Sequence, residues 1–212
     1  MLMRLANDKI HDGGVHVAAM TALASLCAES AACKYQARAR GCLATAVVAL
    51  QVHATNSGVV ESCMRTLANL LVNDKEAKDE AVERVGVVVQ TMRSLASSVA
   101  VSEVGCSLLA SIAVGDLERQ DALVRGGALA VVLEAMQRHK TTALVQERGC
   151  RAVEMLCARN DATRQEARSL GVVEAVLGAM RTHEASPGVL ERGARALHRL
   201  GERSPELQAE IV

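Results

Sequence analysis

Residues 61–74 read ESCMRTLANLLVND, and variants of that segment return as SEVGCSLLASIAVGD at 102–116, ERGCRAVEMLCARND at 147–161 and ERGARALHRLGERSP at 191–205. Aligned on a central apolar residue, Leu23, Leu67, Leu109, Val153 and Leu197 fall into one column, spaced 44, 42, 44 and 44 residues apart. Three residues later stand Leu26, Leu70, Ile112, Leu156 and Leu200; three residues earlier stand Met20, Met64, Cys106, Cys150 and Ala194. Residues three apart share one face of a helix, so the columns predict the buried stripe of one helix per repeat.

A second column has nearly the same period. Gly41, Gly86, Gly127 and Gly171 each precede an apolar stretch: CLATAVVAL, VVVQTMRSL, ALAVVLEAM and VVEAVLGAM. Each follows a short polar one: KYQARAR, DEAVERV, RQDALVRG and RQEARSL. A glycine in the left-handed region stops a short helix and lets the next leave at a steep angle, and that is the role expected of all four. Asp74, Asp116 and Asp161 are placed to open the short segments, and Ser204 before Pro205 reads as an N-cap with proline at the first helical position.

Each unit therefore holds a short helix, a glycine turn, a second helix, a loop and a longer third helix. This division resembles the armadillo repeat. TLANLL at 66–71 matches the A-L-x-N-L-like end of an armadillo third helix, and ALASLC, LLASIA, AVEMLC and ALHRLG are degenerate versions of it. The resemblance spans nearly the whole chain. It implies an all-α, right-handed α-α superhelix, a single array over 1–212 with full units at 29–72, 73–114, 115–158 and 159–203 and partial units at 1–28 and 204–212. MLMRLANDK is expected as the end of a second helix and SPELQAEIV as a first helix. Apolar Leu2, Leu5, Leu207 and Ile211 there suggest a fragment of a longer array, or ends that meet another chain.

Composition narrows the functional classes. Half of the residues are hydrophobic, yet the chain has no Phe or Trp and one Tyr, so Leu, Val, Ala, Met and Cys must build the core. Lys plus Arg and Asp plus Glu number 24 each, whereas nucleic-acid binders carry a basic excess; no nucleic-acid partner is expected. No apolar run approaches the roughly 20 residues that span a bilayer, and no apolar leader opens the chain, so no membrane is expected and a cytoplasmic or nuclear setting is. The seven cysteines, an odd number without a C-x-x-C, read as reduced, buried small hydrophobes, with Cys33 and Cys42 the candidates for partial exposure.

Motifs for chemistry are missing: no G-x-S-x-G, H-E-x-x-H, phosphate loop or dinucleotide fingerprint occurs, and Gly126-Gly127 is a helix junction. No enzymatic activity, cofactor or small-molecule substrate is expected. His53, His139 and His183 share one position, 12 residues after the glycine of their repeats. Equivalent positions in stacked helices lie about 8–10 Å apart, too far to share a zinc ion, so these histidines are expected to act structurally, near a helix C-terminus where the dipole favours them.

The armadillo resemblance directs attention to the concave face lined by third helices, which in the nuclear-import adaptors carries a ladder of Trp and Asn. Here the Asn position is occupied by Ser25, Asn69, Ser111, Met155 and Arg199, and the Trp position by Thr21, Arg65, Ser107, Arg151 and Arg195. The Trp ladder is therefore absent, which argues against binding basic import signals in the usual manner. One turn earlier stand Val17, Glu61, Glu103, Glu147 and Glu191, so Glu61–Arg65, Glu147–Arg151 and Glu191–Arg195 are i,i+4 pairs in the favourable order. The stripe has two readings. One is a solvated face. The other is a polar groove, in which Asn69 fixes a peptide backbone and Arg65, Arg151, Arg195 and Arg199 pair with acidic groups of a partner. The resulting expectation is a protein-interaction module whose groove comprises Glu61, Arg65, Asn69, Ser107, Ser111, Glu147, Arg151, Arg195 and Arg199; the alternative is a structural spacer or self-association segment.

Overall fold

Asp12, Ser30, Asn56, Asp74, Ser98, Asp116 and Asn160 each accept a hydrogen bond from the backbone N–H three residues on, at 2.9–3.3 Å, and these caps punctuate the chain. They are seen in a computed structural model, which describes the backbone of residues 1–211 and all their side chains except those of Glu206, Glu210 and Ile211. The expectation attached to Ile211 thus lies outside the described residues. Asp161 is not the cap expected of it; Asn160 takes that place and Asp161 is the first residue of the helix.

The described residues form fifteen helices: α1 (Leu2–Asp8), α2 (Gly13–Glu29), α3 (Ala31–Ala39), α4 (Cys42–Val52), α5 (Ser57–Leu70), α6 (Lys75–Val82), α7 (Val85–Ser94), α8 (Val99–Ala113), α9 (Leu117–Arg125), α10 (Ala128–Arg138), α11 (Ala143–Leu156), α12 (Asp161–Ser169), α13 (Val172–Thr182), α14 (Pro187–Gly201) and α15 (Pro205–Ile211). The quoted repeats are the long helices α5, α8, α11 and α14, which with α2 pack side by side in chain order. Gly41, Gly127 and Gly171 have φ of 75°, 85° and 78° and turn the chain into α4, α10 and α13. Gly86 does not: α7 starts at Val85, Arg84 makes the corner at φ −106°, and Gly86 lies in the first helical turn.

The apolar stripe is buried, with two corrections. Leu26 is 43% exposed and Ala194 is exposed, because α2 and α14 each have a neighbouring third helix on one side only. Leu207, expected as an apolar end, is 6% exposed and belongs to the core, while Leu5 is 38% exposed. Close helix contact uses glycines for which the sequence offered no role. An added Cβ at Gly105, Gly149 or Gly193 would lie 2.4–2.6 Å from the side chain of Met92, Met136 or Met180 respectively. The same methionine–glycine contact therefore joins α7 to α8, α10 to α11 and α13 to α14.

Side chains from one repeat satisfy orphan backbone groups of another. His53, His139 and His183 hydrogen-bond through Nε2 to the carbonyls of Ile10, Ala96 and Lys140, at 2.5, 2.9 and 2.8 Å. The histidine column is thus a set of braces between successive loops. The C-terminal carbonyls of the long helices accept from residues seven positions on: Ile112 from Arg119, Ala113 from Gln120, Cys157 from Arg164 and Gly201 from Gln208.

His16 is fully buried where α1, α2 and α5 meet. Its Nδ1 lies 3.3 Å from the Ala6 carbonyl and its Nε2 lies 3.5 Å from Cys63 Sγ. The network assigns the tautomer: Nδ1–H donates to Ala6, and Nε2 accepts from the Cys63 thiol, which burial first, then Cys42, pushes up to about 12 and so keeps protonated. Burial is the main cause holding the His16 pKa down; His53, 6.2 Å away centroid to centroid, adds to it against the Ala6 bond. A lowered pKa means that folding favours neutral His16. Its contribution to stability is complete above pH about 6.5 and is lost as the pH falls from there towards the folded-state value. The midpoint of urea unfolding should drop between pH 7.5 and 5, with a shallower drop in His16→Gln. Equal slopes for the two proteins would refute this.

Candidate partner-binding groove

The outward positions of α2, α5, α8, α11 and α14 carry the residues expected to form the groove. Glu61 and Arg65 pair at 2.6 Å, and Glu191 and Arg195 at 2.8 Å, both along their own helix as expected. These are exposed pairs, each adding a few tenths of a kcal/mol. Ser111 donates to the Ser107 carbonyl at 2.9 Å, and Arg199 pairs with Glu202 at 2.6 Å. Asn69 has a structural duty: its Nδ2 donates to the Ala24 carbonyl of the preceding long helix at 2.9 Å, as the Thr66 hydroxyl does to Met20 at 2.8 Å. One amide hydrogen of Asn69 is thereby committed to joining α5 to α2.

The third expected pair does not form. Glu147 turns to its neighbour Arg148, at a loose 3.5 Å, and Arg151 is left with no ion pair or hydrogen bond among the described residues. Arg151 is half-buried. Burial, then the charges of Arg192 and Arg148, lower its pKa from the ordinary guanidinium value, against the opposing charges of Glu154 and Glu147. Arg192 reaches from α14 to Glu154 on α11 at 3.3 Å, and Glu154 is 6% exposed. This bridge between helices is absent from the sequence-based reading. A signal for it exists: Glu154 occupies a column otherwise filled by Ala24, Ala68, Ala110 and His198, and Arg148 and Arg192 share a column 44 residues apart.

Among the described residues, no three His, Cys, Asp or Glu side chains are placed to hold a metal ion. Cys42 is fully buried, contrary to expectation, because the start of α4 is tucked into the core; Cys33 is partly exposed. Burial pushes the Cys42, Cys106, Cys150 and Cys157 thiols up to about 12, so none is an activated nucleophile. Among the described residues, no helix is long and apolar enough to cross a membrane.

The helix order and the stacking of the long helices define an armadillo-type solenoid, an all-α right-handed superhelix. Within that class the chain belongs to the LRRK2 ARM repeat family, whose family model matches residues 14–208. No curated protein matches it in sequence. Among solved structures, the designed armadillo repeat protein YIII(Dq)4CqI is 17% identical with a TM-score of 0.83, over 99% of this chain and 85% of that one. An engineered protein is 24% identical with a TM-score of 0.82, over 94% and 78%. A further designed armadillo repeat protein, in complex with the peptide (KR)4, is 16% identical with a TM-score of 0.59, over 94% and 98%. At these identities the likeness is one of fold. Armadillo scaffolds commonly mediate protein and peptide binding and are typically non-catalytic.

Proposed function

We propose that the chain binds an extended or helical segment of a partner protein along the concave face formed by α2, α5, α8, α11 and α14, with no chemistry of its own. Arg151 carries this reading: a half-buried guanidinium with no ion pair or hydrogen bond among the described residues, in the row of long helices, is a binding group waiting for an acceptor. Arg65, Arg195 and Arg199 extend the row, each held by one carboxylate and with further donors free for a ligand. Glu61, Glu147, Ser107, Ser111 and the remaining polar atoms of Asn69 complete the groove. The designed armadillo repeat protein in complex with the peptide (KR)4 supports peptide binding by this fold. In this chain arginines stand at the Trp positions of α5, α11 and α14, and they suit an acidic partner instead.

The experiment is a cell-extract pulldown read by mass spectrometry. The baits are this chain and an Arg65→Glu/Arg151→Glu/Arg195→Glu variant, both shown folded by circular dichroism. Partners held by the first and lost from the second are the expected result. Identical partner sets on the two baits would overturn the groove.

A second reading, self-association, is favoured by exposed Leu26 and Leu5 at one end of the array, where Leu2, Leu23, Leu26, Cys27 and Ala37 line an open hollow of about 230 Å³. It requires a mass that rises with concentration in sedimentation equilibrium; a constant monomer mass excludes it.

A further inference from the structure

The arginines on α11 and α14 form a local arrangement unlike the rest of the row. Arg148 and Arg151 stand one turn apart on α11, and Arg192 and Arg195 one turn apart on α14, on helices that pack against each other. Arg192 crosses to Glu154, one turn beyond Arg151, so Arg151 is flanked along α11 by Arg148 and by the Arg192–Glu154 bridge. Local carboxylates are used up unevenly. Glu154 is held by Arg192, Glu191 by Arg195, and Glu147 loosely by Arg148 at 3.5 Å. Arg151 is the guanidinium left over.

We propose that Arg148, Arg151 and Arg192 form a subsite for a phosphate monoester, a phosphoserine or phosphothreonine on the partner segment laid along the groove. The subsite rests on the concave-face reading above and assigns its anionic ligand. Charge and geometry favour phosphate over carboxylate. A phosphate monoester carries close to two negative charges and three terminal oxygens. It accepts from several guanidinium forks at once and relieves the repulsion between them. A single carboxylate is filled by one fork, and the helices already supply three of these. A protein segment is favoured over a free or lipid-borne phosphate because the three arginines continue the row of Arg65, Arg195 and Arg199 rather than closing a pocket, and the chain has no net positive charge to hold an anionic surface.

The test uses the full chain and two immobilised peptide libraries, one with a fixed central phosphoserine and one with serine at that position, both with degenerate flanks. Binding is followed by fluorescence anisotropy on pools eluted from each, beside Arg151→Gln and Arg148→Gln/Arg192→Gln. The expected result is selective capture of the phosphoserine library, weakened about tenfold or more by Arg151→Gln. Because Arg151 has no partner in the free protein, Arg151→Gln should leave the Tm unchanged or raise it. A purely structural arginine would lower it. Equal capture of both libraries, undiminished by Arg151→Gln, overturns the phosphate subsite while leaving the groove standing. Capture of neither library, or of phosphoinositide vesicles alone, also overturns it; the pulldown then decides the groove separately.

Discussion

Gly149→Val is expected to destabilise the array by about 2–3 kcal/mol, through overpacking of a site with no room for a side chain. A Cβ there would fall 2.4 Å from Met136 Cγ and 2.7 Å from its Sδ. Met136 is 2% exposed and has little freedom to move away. The expected loss exceeds the gain in helix propensity, since an interior glycine is only about 1 kcal/mol worse than alanine. Met136→Ala should also destabilise, by leaving a cavity. The double variant Gly149→Ala/Met136→Ala should cost less than the sum of its two single changes, because the new Cβ occupies space the methionine vacates. Urea unfolding by circular dichroism measures all three. Strict additivity, or a Gly149→Val midpoint equal to that of the parent, would show that the two helices are not in this contact. Gly105 with Met92 and Gly193 with Met180 should behave alike, with a smaller effect at Gly193 because Met180 is only partly buried and has more room to move.

Arg119→Met should cost about 2 kcal/mol. Arg119 is 5% exposed; its Nε donates to the Ile112 carbonyl at 3.2 Å, its Nη2 to the Val114 carbonyl at 2.9 Å and its Nη1 to Asp79 at 2.6 Å. One fork thus caps α8, fixes its exit and ties α9 to α6. Methionine fills similar space but leaves the buried Ile112 carbonyl without its donor. The ion pair itself adds less, since Asp79 is half-exposed and is rehydrated when the arginine is gone. Arg119→Lys should recover only part of the loss, because one ammonium cannot meet three acceptors lying in different directions. Full stability in the lysine variant would show that charge alone matters and that the capping bonds are incidental.

These two sites mark where sequence reasoning stops. Arg119 belongs to a run, RQDALVRG, that reads as a polar first helix, and nothing in its local pattern sets it apart from exposed Arg125 near the end of the same run. Burial of a charged fork depends on three acceptors brought from α8, its exit turn and α6. Gly149 likewise stands in ERGCRAVEMLC as an unexplained interior glycine, legible only once Met136 lies against it. The turn after each long helix is another case. Asn73, Gly115, Arg159 and Arg203 all have positive φ, between 58° and 88°. Asn and Gly announce that conformation; the two arginines take it because the stack dictates the turn and outweighs a local preference of about 1 kcal/mol.

The candidate groove divides in the same way. Glu61–Arg65 and Glu191–Arg195 were legible because i,i+4 spacing on a helix is a local matter. Glu147–Arg151 has the same spacing and did not form, since Arg148 competes for Glu147 and α14 sends Arg192 across to Glu154.

The amino-acid sequence alone determined the repeat period, the three-helix division, the apolar stripe and the caps at Asp74 and Asp116. Each of these follows from the geometry of a single helix and from the need of identical units to bury the same face. Tertiary structure alone decided which of the outward arginines are neutralised, which polar groups brace one repeat to the next and where the stripe surfaces at the ends. Those outcomes turn on pairings between residues some 40 positions apart, and a long-range pairing is settled by which competitor the packing brings nearer.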